Sequence, residues 1–108
     1  MIKKLVPNKN FIRNMDENQI NSLVNLPTGI PNILMNMLKD DIPDINIKRM
    51  KVFSKHPEYE TLDCQERITA HKMRKTSNLK EIQEFHINYT IDFLEKNPEF
   101  KEIVKIEF

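Results

Sequence analysis

Glycine is almost missing from this chain: its 108 residues hold one, Gly29, together with one cysteine and no tryptophan. A single glycine excludes a glycine-rich phosphate loop and the dinucleotide fingerprints, which need several so that backbone can approach a phosphate. The lone Cys64 excludes an internal disulfide and points to a reducing compartment. No CxxC and no HxxxH occurs. On one helix, Cys64 and His71 would stand two turns apart, roughly 10 Å by the helical rise. That is too far to share a metal or to work as nucleophile and base. No serine sits in a nucleophile elbow. No stretch approaches the roughly 18 apolar residues of a membrane span, and MIKKLVPNKN lacks the apolar run of a signal peptide. These absences set the expectations: no cofactor, no metal, no small-molecule substrate, no membrane, and no enzyme activity. The expected location is the cytoplasm, or a virion or other assembly built there.

What is present is a polar but foldable composition. The apolar fraction of 39% lies below the globular average and the charged fraction of 31% above it, yet Phe, Ile, Leu and Met recur along the whole length. The length suits one domain, residues 1–108, with a modest core. Lys, Ile and Asn dominate, the mark of a low-GC genome, that of a phage or virus included. The net charge of +1 is uninformative, but the charge is laid down in blocks. Residues 1–15, 48–57 and 67–80 carry bases and no acid, whereas seven acids face three bases from Glu81 onward.

The fold class expected is mainly α: a small domain of four to five helices, with an optional two-stranded pairing of the terminal segments. Asp16 and Gln19 form a capping box opening a helix that runs to about Leu26. Pro27 stops it, and PTGIP is a turn. NILMNMLKD is a second helix. Residues 44–55 fit a helix or a slipped strand, and helix is the reading adopted. SKHPEYE reads as a loop, and Asp63, with Glu66 as capping partner, opens a helix to about Lys75. Asn78 caps the longest helix, over about 79–95, where Leu79, Ile82, His86, Tyr89 and Phe93 form one apolar stripe and Ile87, Ile91 and Leu94 another. Those two stripes make it the expected most buried element. His86 lies on the first and reads as a satisfied core histidine or one at the stripe's edge. The tail PEFKEIVKIEF fits either a last helix or a strand through Val104, Ile106 and Phe108 that pairs with IKKLV.

Two faces carry the functional reading. Ile33, Leu34, Met35, Met37 and Leu38 cover about 200° of the second helix, more than one neighbour can bury; surplus apolar surface is normally an interface. On the Asp63–Lys75 helix, Arg67, His71 and Arg74 share one side with Lys75 at its edge. That cationic stripe suits an acidic protein face, phosphates, or simple pairing with Glu81 and Glu84. The sequence therefore reads as a non-enzymatic protein-binding subunit or adaptor in a larger assembly, with a protein partner or a second copy as its ligand. The alternative is a small nucleic-acid-binding protein or regulator using Arg67, His71, Arg74, Lys48, Arg49 and Lys51.

Overall fold

A computed structural model describes residues 3–108. The chain runs β1 (Lys4–Pro7), α1 (Lys9–Arg13), α2 (Glu17–Val24), α3 (Asn32–Leu38), α4 (Ile45–Lys55), α5 (Pro57–Asp63), α6 (Gln65–Met73), α7 (Leu79–Lys96), a 3-10 helix over Pro98–Ile103, and β2 (Val104–Glu107). The fold is mainly α, and its short sheet pairs the two terminal segments. β1 and β2 are antiparallel, with Leu5 opposite Ile106 and Pro7 opposite Val104. The Asn8 N–H donates to the Ile103 carbonyl at 2.8 Å, extending the closure into α1. No helix among the described residues is long and apolar enough to cross a membrane.

Local chemistry explains most of the boundaries. Asp16 accepts from the Gln19 N–H at 2.8 Å while Gln19 accepts from the Asp16 N–H at 2.9 Å, the reciprocal box that opens α2. Asn78 accepts from the Glu81 N–H at 2.9 Å and opens α7. Two short helices add to those anticipated. Asn8 caps α1, directly after Pro7. Pro57 starts α5 within the segment read as a loop, where its fixed φ suits the first helical position.

The core gathers Ile12 of α1, Ile20, Leu23 and Val24 of α2, Leu34 and Leu38 of α3, and Ile45 and Val52 of α4. Phe93 and Leu94 of α7 and Phe100, Ile103 and Val104 of the C-terminal segment close it. Asp41 ties α1 to the turn after α3, accepting from Lys9 Nζ at 2.9 Å and Arg13 Nε at 3.3 Å. The Lys9 hydrogen bond, then that of Arg13, holds the Asp41 carboxyl below the usual carboxylate range.

α7 is not the most buried element. Only Thr90, Phe93 and Leu94, in its C-terminal half, are buried, and Leu79 at its start is 71% exposed. Its N-terminal turns extend past the core, so two apolar stripes on the wheel do not become two covered sides. The eight-residue α2 buries as many residues, Ile20, Leu23 and Val24, in less than half the length.

Candidate partner-binding site

Position 49 governs the centre of the molecule. In α4, Arg49 falls in helical phase with Ile45 and Val52, and all three are buried. Burial carries the guanidinium inside, where it is 3% exposed. Its Nη1 donates to the Val24 carbonyl at 2.6 Å and the Leu26 carbonyl at 2.7 Å, and its Nη2 to the Thr28 carbonyl at 3.0 Å. These carbonyls belong to the end of α2 and the link that follows it, so Arg49 closes that helix end. Asp63 stands 3.6 Å from Nη2. Burial pulls the Arg49 pKa down, and Asp63 opposes the shift. The Phe53 ring lies beneath the guanidinium, 4.7 Å from its carbon. Arg49 is therefore a structural cation, which removes it from any set of residues contacting phosphate. Lys48 is engaged as well, with Glu17 at 3.2 Å.

Asp63 and Glu66 do not form the anticipated capping box. Asp63 ends α5 and accepts from the Ile30 N–H at 3.2 Å. Glu66, 3% exposed, accepts from the Asn32 N–H at 2.9 and 3.1 Å through its two oxygens. It supplies the N-terminus of α3 with the acceptor that Pro31, at the cap position, cannot provide. His86 Nδ1 approaches Glu66 Oε1 at 3.3 Å. Burial pushes the Glu66 carboxyl pKa up, against the Asn32 hydrogen bond and the His86 charge, which pull it down. Outside His86 lies an open groove of about 750 Å³ with Lys3, Lys4, Leu5, Ile33, Asn36, Gln83 and Ile87. A carboxylate-oriented imidazole is a geometry for proton transfer. The pair joins α6 and α7 to the start of α3.

The five apolar residues of α3 divide among different surroundings. Leu34 and Leu38 are wholly buried in the core and present nothing to a partner. Met35 and Met37 are half-buried, and both pack against the same core. Ile33 lines the groove beside His86. Met35 lines a second groove, of about 410 Å³, on the other flank of α3. That second groove is walled by α4 through Met50 and Phe53 and by α6 through Arg67, with Arg49 and Asp63 inside it. Met50 is 65% exposed and Ile47, farther round α4, is 58% exposed.

Arg67, His71, Arg74 and Lys75 are all exposed, as their helical phase implied. Arg67 makes a weak 3.1 Å contact with the Cys64 sulfur. Among the described residues none of the four lies within 4.0 Å of a carboxylate, so pairing with Glu81 or Glu84 does not occur. The anticipated apolar and cationic faces thus meet at one place, through Met35 and Arg67. Sequence reasoning missed Met50, Phe53 and Ile47. Their signal was present in residues 44–55: once Ile45, Arg49 and Val52 are set inside a helix, Met50 and Ile47 fall outside.

No group of three or more His, Cys, Asp or Glu among the described residues could hold a metal ion. The chain matches no protein-family profile, no curated protein and no solved structure.

Proposed function

We propose that this chain is a non-enzymatic protein-binding subunit or adaptor of a larger assembly, and that the groove between α3, α4 and α6 is its docking surface. The observation carrying this reading is the exposure of Met50 beside Met35 and Phe53 in one groove. Exposed Met50 with the half-buried Met35 and Phe53 gives the groove an apolar floor that a partner would cover, and methionines suit contacts that must adapt. The Lys-, Ile- and Asn-rich composition fits a low-GC genome such as that of a phage or virus, whose assemblies form in the cytoplasm. Nucleic-acid binding stands second, supported by the exposed stripe of Arg67, His71 and Arg74, which has no ion-pair partner among the described residues.

Photo-cross-linking in the source cells tests the first reading. Benzoylphenylalanine placed at Met50 should give a discrete protein adduct, whereas the same group at Lys80, exposed and remote in sequence, should not. No adduct from position 50 would count against the reading.

A further inference from the structure

We infer that the occupant of the α3–α4–α6 groove is an acidic amphipathic helix supplied by another protein, an inference that rests on the protein-binding reading above. Asn46, Met50 and Phe53 line the groove along two turns of α4, about 10 Å by the helical rise. That length accepts the i, i+3 or i+4, and i+7 anchors of a helix laid in a groove. The apolar floor comes from Met35, Met50 and Phe53, and the wall from Arg67.

Charge then selects the partner. The groove's own carboxylate, Asp63, is engaged by the Ile30 N–H and faces Arg49 at 3.6 Å. Arg67 has no carboxylate within 4.0 Å among the described residues, and neither do His71 and Arg74, which continue its line along α6. Arg74 stands two turns beyond Arg67, again about 10 Å. A helix with apolar residues on one side and Glu or Asp on its flank would cover the floor and meet Arg67 at the wall.

Two other occupants fit less well. A second copy docked through the same groove about a two-fold axis would have to offer each Arg67 a carboxylate from that same face, and the groove's own carboxylate, Asp63, already faces Arg49; otherwise the arginines add like charge to the interface. Like charges set face to face are costly. A nucleic acid would satisfy the arginines but leave Met35 and Met50 wet. The aromatic ring that could stack a base, Phe53, already has a face taken by the Arg49 guanidinium.

The probe is a labelled synthetic helical peptide with leucines at i, i+4 and i+7 and glutamates flanking them, read by fluorescence anisotropy against the full chain. A second peptide carries lysine for every glutamate. The acidic peptide should bind about tenfold or more tightly than the basic one at low salt, with the gap closing as salt rises. In the Arg67→Glu/Arg74→Glu protein the order should reverse, and Met50→Ser should weaken the acidic peptide with an unchanged Tm. Equal binding of the two peptides, or none of either, overturns the acidic-helix inference. The Met50 cross-link still judges the protein-binding reading separately. Met50-dependent self-association in sedimentation, or a duplex DNA complex lost on the double charge reversal, overturns it in favour of a second copy or a nucleic acid.

Discussion

His86 and Glu66 meet beneath the N-terminus of α3, with 3.3 Å between Nδ1 and Oε1, while the same carboxylate takes the Asn32 N–H at 2.9 Å. One buried acid thus fastens three helices. Glu66→Ala would leave the Asn32 N–H without its acceptor and should cost about 1–3 kcal/mol. Glu66→Gln keeps an acceptor and should cost less. The pH dependence follows from the raised carboxyl pKa. Between the ordinary value of 4.5 and the higher folded value, the native state holds more proton than the unfolded chain. The contribution of Glu66 is therefore fully present below about 4.5 and is lost as pH rises through the folded value. Denaturant titrations should show wild type losing ground to Glu66→Gln across that window; a constant difference would contradict this.

Arg49 holds three main-chain carbonyls from one turn and link. Arg49→Met, similar in bulk, should destabilise by roughly 3–5 kcal/mol, because the carbonyls and Asp63 lose a buried partner. Arg49→Lys should recover little of it, since an ammonium cannot span the fork. Urea unfolding of both variants is the check, and a near-wild-type midpoint for Arg49→Lys would refute the fork argument.

The single glycine has a steric reason. A Cβ on Gly29 would come 2.8 Å from the Asp63 Cα, a backbone atom that cannot swing away. Gly29→Ala should cost roughly 1–3 kcal/mol by forcing the link off the end of α5. An unchanged Tm would show that the two segments separate freely.

The two ends of α7 should answer differently. Phe93 is buried in the core cluster, and Phe93→Ala should cost about 3–5 kcal/mol. Leu79, mostly exposed, should change stability by no more than about 0.5 kcal/mol on replacement by Ala. Equal losses at both positions in thermal melts would contradict the exposed start of α7.

Local signals were legible in the sequence wherever local forces decide. The Asp16–Gln19 box, the Asn78 cap and the stop at Pro27 all follow from neighbouring residues, whereas the tail, which fitted helix or strand alike, is a 3-10 helix over Pro98–Ile103 and then a strand paired with Lys4–Pro7. Asp63 and Glu66 show where such reading ends. They have the spacing of a capping box, yet their carboxylates go to Ile30 and Asn32, partners more than thirty residues earlier. With the box diverted, the chain breaks at Cys64 into α5 and α6. Arg49 is the same lesson in charge: a base in a basic block reads as surface, but its phase with Ile45 and Val52 carries it inward. The site was half legible for this reason. Met35 and Arg67 were visible as members of two separate faces, and their meeting depends on the packing that Arg49 and Glu66 enforce.

The most direct test of the docking groove is the hydrodynamic size of the protein in a gentle extract of its source cells, for wild type and for Met35→Glu/Met50→Glu. The wild-type chain should travel in a complex well above its own 12.9 kDa. The double variant should travel as the free chain while its purified form keeps the wild-type far-ultraviolet circular dichroism and melts cooperatively. A wild-type chain that travels alone, or a folded variant that stays in the complex, would contradict the assignment of this groove as the site where a partner binds.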